Sequence, residues 1–184
     1  IDSGFVMLGE VDNDILLMKS NRYGDMEWQQ SFGGSQMDIA SHIEQASDGG
    51  FIISATTESY GQGGKDIWLF KTSSSGLIEW NKYIGTPYDD YSGQVLETND
   101  GGFILIGSRG SSDQNDNDIW LIKTNSQGDS SWTRSYGGNQ FDRGNDILAD
   151  DQGGFILLGS TESQGNGGKD IWLLKVDEDG NDQW

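Results

Sequence analysis

The chain has 184 residues, with 30 carboxylates against 11 Lys and Arg and a formal charge of -19. The few cations are scattered singly, so no basic stripe exists to displace counterions from phosphates, which excludes a nucleic-acid binder and an anionic membrane surface. The absence of Cys excludes disulfides, thiolate chemistry and Cys-type zinc, and no apolar run approaches the roughly 20 residues of a spanning helix.

The first landmarks are Gly4-Phe5, Leu16 and Trp28, and the same pattern then recurs along the chain. Trp28, Trp80, Trp132 and Trp184 stand 52 residues apart, as do Trp68, Trp120 and Trp172, with Leu16 in the earliest slot. Gly50-Phe51, Gly102-Phe103 and Gly154-Phe155 keep this interval. Gly4-Phe5 departs from it because the following loop is six residues shorter. A fixed period near 50 residues is the mark of a repeat architecture. The start at Ile1, without Met or a signal peptide, suggests a processed or excised piece.

Within a unit the hydrophobic period is two. Phe103-Ile104-Leu105-Ile106 and Asp118-Ile119-Trp120-Leu121-Ile122-Lys123 are short, rich in β-branched and aromatic residues, and bounded by turn formers. They predict strands buried on both faces, whereas Ser131–Tyr136 and Gly144–Leu148 alternate and predict half-covered strands. Gly24, Gly76, Gly128 and Gly180 recur where a tight hairpin needs positive φ, and Asn99-Asp100-Gly101-Gly102 predicts a second turn. No stretch keeps apolar residues at helical spacing over three turns. Each unit therefore has four strands and the chain is all-β.

Four-stranded units of about 52 residues describe the blades of a β-propeller. A parallel β-helix would show a shorter period. With its recurring Asp-Gly-Gly-Phe, Lys-Asp-Ile-Trp-Leu and Gly-Gly-(x)3-Asp stretches, the chain resembles the tandem propeller repeats of secreted and surface proteins of bacteria and archaea, NHL-like in layout. That resemblance implies an innermost strand around residues 91–98 and a location outside the cell or on its surface. Ala40, Gly93 and Gly144 supply small residues where such strands crowd the axis. The blades are then 1–37 (incomplete), 38–89, 90–141 and 142–184 (incomplete), about 3.5 in all. Part of a longer array of about seven or eight blades, two chains completing one ring, and an open fibre are all compatible with this count.

Strand alternation puts the loops 57–65, 109–117 and 161–169 on one face, with 33–38, 85–90 and 137–142. Such a face is where a propeller holds ligands. Asp14, Asp66, Asp118 and Asp170 precede the Ile-Trp or Ile-Leu strands, and Asp38, Asp90 and Asp142 stand one per loop between blades. Short carboxylates at these places accept backbone N–H bonds. The functional alternative is calcium, held by Asp38, Asp90 and Asp142. Asp177–Asp182 lacks the spacing and closing Glu of an EF-hand loop and reads as an acidic hairpin. The Asp-x-Gly-(x)3-Trp shape is similar to the Asp-box of sialidase propellers, but its spacing differs.

Positions that vary between blades are the better ligand candidates. Glu58 and Glu162 are read as sharing a slot with Arg109, and Tyr60 as matching Ser111 and Gln164. Asp113 and Asn115 lie in a loop rich in amides and carboxylates suited to sugar hydroxyls, and Tyr60, Tyr88 and Phe141 offer stacking surfaces or interface cover. His42 is the sole imidazole, and no Ser-His-Asp order, phosphate loop or zinc-protease motif is present. The expectation is a non-enzymatic extracellular or surface module whose loop face binds a protein or a glycan. A glycoside-active propeller using face acids such as Glu58 or Glu162, and a purely self-assembling repeat, are the alternatives.

Overall fold

The structure is a computed structural model and describes residues 3–113 and 116–184. Among these residues there are fourteen strands and no helix. The first sheet comprises β1 (Phe5–Val11), β2 (Asp14–Ser20) and β3 (Met26–Phe32). The second comprises β4 (Asp38–Gln45), β5 (Phe51–Thr57), β6 (Asp66–Thr72) and β7 (Ile78–Ile84). The third comprises β8 (Tyr91–Glu97), β9 (Phe103–Gly110), β10 (Asn117–Thr124) and β11 (Ser130–Tyr136), and the fourth β12 (Asp142–Ala149), β13 (Phe155–Thr161) and β14 (Asp170–Val176). Every pairing is antiparallel between chain neighbours.

These sheets are propeller blades, with β4, β8 and β12 side by side toward the axis. Crowding there demands small residues: a Cβ on Gly144 would lie 2.5 Å from the Gly107 carbonyl oxygen, and one on Gly93 would lie 2.8 Å from that of Ile106. Each axial strand also carries a bulge, at Ala40/His42, Ser92/Val95 or Gly144/Asp146. A bulge tightens local twist, which helps a narrow inner strand serve a wider blade.

Three apolar clusters join the sheets in sequence. Ile15 and Leu17 pack with Phe51, Ile53, Trp68 and Phe70. Ile67 and Leu69 pack with Phe103, Leu105, Trp120 and Ile122. Ile119 and Leu121 pack with Phe155, Leu157 and Leu174. Strands β5 and β6 are consequently buried at every position, which is why their sequences read as continuous apolar runs; each fully buried Phe, Leu or Ile contributes about 1.5–3 kcal/mol. The outer strands β7 and β11 alternate and carry Glu79, Lys82 and Arg134, charges that keep an edge from pairing with another sheet.

Turns lock one blade onto the next. Gly76, Gly128 and Gly180 have φ of 79°, 76° and 75°. Each also lies against the Trp of the preceding blade: a Cβ there would come within 3.0 Å of Trp28, Trp80 or Trp132 respectively. Beneath the Asp-Gly-Gly turns, Lys71 is held by Asp48 and Glu79, each at 2.5 Å, and Lys123 by Asp100 at 2.8 Å. The first blade differs on the opposite face, where Asp12 and Asn13, both with positive φ, close β1 to β2 as a two-residue hairpin.

Candidate functional site

Carboxylates organise the long-loop face. Asp38 and Asp142 open β4 and β12, Asp90 immediately precedes β8, and all three are buried. Asp38 Oδ2 accepts the Gly34 N–H at 2.9 Å and the Ser59 hydroxyl at 2.8 Å. Asp142 Oδ2 accepts the Gly138 N–H at 3.0 Å and the Ser163 hydroxyl at 2.7 Å. Asp90 accepts the N–H and hydroxyl of Thr86 on Oδ2 and the Gly110 N–H, at 2.9 Å, on Oδ1. These three residues therefore tie each interblade loop to the long loop beside it. Among the described residues no three His, Cys, Asp or Glu side chains gather as a metal group.

A second carboxylate approaches each of them. A Cβ on Gly85 would lie 1.8 Å from Asp66 Oδ1 and 3.0 Å from Asp90 Oδ2. The same construction at Gly33 meets Asp14 and Asp38, and at Gly137 meets Asp118 and Asp142. Glycine at 33, 85 and 137 is what lets two acids converge. Burial is the main cause that raises the Asp90 pKa, and the Asp66 charge adds to it, against the N–H groups of Thr86 and Gly110.

The third blade breaks the pattern, and there the register of the sequence reading needs correction. Arg109 pairs with Asp118 as Thr57 pairs with Asp66 and Thr161 with Asp170. Arg109 thus stands in the slot of Thr57 and Thr161, and Gly110 stands in that of Glu58 and Glu162. By the same one-residue shift, Tyr60 corresponds to Ser112. Glycine is required at 110 because a Cβ would lie 2.4 Å from the Asp89 carbonyl oxygen. The loop 85–89 comes down onto the blade where the sister blades carry Glu.

This close approach leaves a groove of about 350 Å³ lined by Tyr88, Tyr91, Phe141, Ser111 and Asn117. A second hollow of about 260 Å³ shares its Pro87–Tyr88 wall and adds Arg109, Asp116 and Asp118. Lys65 lies 5.2 Å from the Tyr91 ring centre and Lys169 5.6 Å from that of Phe141, while the Arg109 guanidinium lies 5.8 Å over Trp120. The single proton of the Ser111 hydroxyl is shared between Asp116 Oδ2 at 3.3 Å and the Asp113 carbonyl at 3.2 Å, and the same oxygen accepts the Asp113 N–H at 3.2 Å, which braces the loop. Burial, helped by Asp116 and Asp142 and opposed by Arg109, raises the Asp118 pKa. Apolar rings beside fixed polar groups are suited to a flat ligand edged with hydroxyls.

The other candidates fall elsewhere. Tyr60 stacks on Tyr83 at 4.8 Å, meets Trp68 edge-on at 5.7 Å and donates its hydroxyl to the Gly33 carbonyl at 2.9 Å. It closes the junction of the first two blades. Glu58 pairs with Lys65 at 3.7 Å, and its N–H donates to Met37. Glu162 donates its N–H to the Phe141 carbonyl, so it supports the groove through the main chain. Glu58 and Glu162 stand on the second and fourth sheets with the third between them. Asp113 is exposed at the groove's loop; Asn115 lies outside the described residues. Sequence reasoning missed Tyr91, whose signal was its place beside Asp90 at the blade start, and Gly110, whose signal was the single Gly in a slot held twice by Glu.

Another hollow, of about 720 Å³, lies on the opposite face between the first two blades. It is lined by Trp28 and Phe51 and by Lys19, Glu27 and Asp48, and its Lys19 and Glu27 pair with each other. It belongs to the blade-locking layer.

No model of a known protein family matches this chain, NHL repeats included, and no curated protein does. Solved structures do. A variant of the NanB sialidase from Streptococcus pneumoniae is similar with a TM-score of 0.62 at 15% identity, over 93% of this chain and 28% of that one. An endo-arabinase from Bacteroides thetaiotaomicron VPI-5482 gives 0.60 at 14% identity, over 98% and 76%. A candidate exo-β-1,3-galactanase from Bifidobacterium bifidum s17 gives 0.57 at 16%, over 98% and 67%. The chain thus spans little more than a quarter of the sialidase's length, and the likeness to all three is one of fold.

Proposed function

We propose that this chain is a carbohydrate-binding β-propeller module that works outside the cell or on its surface, with the sugar seated in the groove of the third blade. The observation that carries this reading is the convergence of Tyr88, Tyr91 and Phe141 with Arg109, Ser111 and Asn117 at the one blade where Gly110 replaces Glu. Aromatic faces take the apolar side of a sugar ring, and a bidentate cation with hydroxyl and amide groups takes its edge. The acidic surface suits neutral or cationic glycans better than sulfated ones. Propeller fold shared with glycan-processing enzymes supports the same class of ligand by analogy.

A glycoside-active site is the second reading, favoured by one observation. Asp116 and Asp118 line the same hollow, and Asp118 holds its proton more tightly than an ordinary carboxyl, as a general acid must. Binding is preferred because Asp118 occupies the place that Asp14, Asp66 and Asp170 hold in the other blades, where the sequence repeats it as a fold element. The purified chain applied to a glycan panel, with product analysis of each bound glycan, tests both. Retention without cleavage supports the binding module; cleavage lost in Asp118→Asn supports the enzyme; neither retention nor cleavage overturns both.

A further inference from the structure

The first and last sheets each leave one apolar face open. On the first sheet Phe5 and Met7 are 59% and 44% exposed, and on the fourth Ile171 and Leu173 are 81% and 52% exposed. These residues are repeats of buried ones. Phe5 and Met7 occupy the slots of Phe51 and Ile53, of Phe103 and Leu105, and of Phe155 and Leu157, none of which exceeds 6% exposure. Ile171 and Leu173 occupy the slots of Ile15 and Leu17, of Ile67 and Leu69, and of Ile119 and Leu121, all at 0%.

The internal junctions state what each face accepts. At all three, the Ile-x-Leu face of one sheet packs on the Phe-x-Ile/Leu face of the next. The open face of the fourth sheet is of the first kind and the open face of the first sheet is of the second kind. They are complementary to each other and neither is complementary to itself.

We propose that a second copy of this chain docks head to tail, with Ile171 and Leu173 of one protomer against Phe5 and Met7 of the other, and that the reciprocal contact closes a two-chain ring. The junction is continuous with the three interfaces already built into each protomer, since it repeats their chemistry at the same slots. Two protomers of four sheets give eight blades, four of them three-stranded because the first and last sheet of each protomer lack one strand, within the range of about 4–8 blades typical of closed propellers. A heterologous contact of this kind closes only if the rotation per blade permits, and otherwise grows into a filament. The proposal is independent of the glycan site, because neither open face contributes to that groove.

The test uses the whole chain, which has no Cys of its own. Met7→Cys and Leu173→Cys are made separately at these exposed positions, and intrinsic Trp fluorescence shows whether each is folded. A flexible bis-maleimide is then added to each variant and to their mixture, alongside native mass spectrometry of the unmodified chain. The expected result is a two-chain species in the native spectrum and a cross-linked pair in the mixture alone. Cross-linking of either variant to itself overturns the head-to-tail contact. A chain that stays monomeric and uncross-linked overturns the assembly, and species larger than two chains overturn ring closure.

Discussion

Asp66 Oδ1 and Asp90 Oδ2 converge on Gly85, within 1.8 Å and 3.0 Å of the point where a Cβ would stand. Asp66 Oδ1 is buried and accepts no hydrogen bond among the described residues, while Oδ2 accepts the Gln62 and Gly63 N–H groups at 3.1 Å. An amide in place of this carboxyl keeps the loop-side acceptor and can donate toward Asp90. Asp66→Asn should therefore leave stability at neutral pH unchanged or raise it, whereas Asp66→Ala removes the acceptor of both loop N–H groups, which water then takes over, and should cost about 0.5–1.5 kcal/mol. Urea unfolding of both variants checks the sign.

The same pair sets a pH dependence. A carboxyl whose folded pKa is raised binds its proton more tightly when folded, so its contribution is present below the unfolded value and lost as pH rises through the folded one. Asp90, Asp118 and Glu44 are all raised, chiefly by burial. Unfolding free energy should fall as pH climbs out of the carboxylate range toward neutrality, and the fall should be shallower in Asp66→Asn, which removes the charge facing Asp90. An equally steep profile would place the repulsion elsewhere.

Lys123 and Asp100 are unequal partners. The Lys123 side chain is 10% exposed, and that of Asp100 is 65% exposed. Loss of the lysine leaves a solvated carboxylate, while loss of the aspartate leaves a buried ammonium that keeps the Thr124 carbonyl, at 3.1 Å, but has lost its counter-charge. Asp100→Ala should be the costlier change, by about 1–2 kcal/mol over Lys123→Met. The Lys123 hydrogen bond lowers the Asp100 pKa, so this contribution is present above the unfolded carboxyl pKa and is lost as pH falls through the folded one. Thermal melts at neutral and acid pH check both statements.

Groove and cover residues separate by what they change. Tyr88→Ala and Phe141→Ala should weaken glycan binding roughly 2- to 12-fold each with little effect on melting. Tyr60→Ala should leave affinity intact and cost about 1–3 kcal/mol of stability, since it closes a blade junction. Gly110→Ala should cost about 1–3 kcal/mol by pressing its methyl on the Asp89 carbonyl. Isothermal titration paired with urea unfolding distinguishes the two classes.

His42 lines an axial hollow together with Gln94 and Asp146. Burial lowers its pKa, against the Asp146 charge and a bond to the Val95 backbone. A lowered histidine favours folding above its unfolded value and loses that contribution as pH falls toward the folded one. As the sole imidazole it gives one NMR titration curve, which should place the midpoint below 6.5.

Blade architecture was legible because period-two strands and positive-φ glycines are local signals, and the spacing of Trp28, Trp80 and Trp132 survives every loop. Even the short first loop was readable, from the missing six residues before Leu16. The site was less so. Arg109 and Ser111 were misplaced by one residue because the loops were compared by residue type, whereas the pairing of Arg109 with Asp118 and of Gly110 with Asn117 fixes the register. The pairs of Lys71 with Asp48 and of Lys123 with Asp100 were unreadable for a different reason: each acid sits 23 residues earlier, in the turn of another hairpin, and a strand lysine gives no sign of being covered. Tyr91 shares the groove with Phe141, which stands 50 residues later in the loop before β12, and nothing in the sequence joins the two.

Every apolar cluster among the described residues draws on two adjacent sheets and no others. Duplication or deletion of one whole unit, for example from Phe51 to Asp/Gly-rich turn 98–102, would leave each remaining junction with a partner of unchanged shape. A change of half a unit would take away either the Ile-x-Leu or the Phe-x-Ile/Leu half of a junction. The array can thus lengthen or shorten by gain or loss of whole recurring stretches, and blade number becomes an inherited tally of copies rather than a quantity written at any single position.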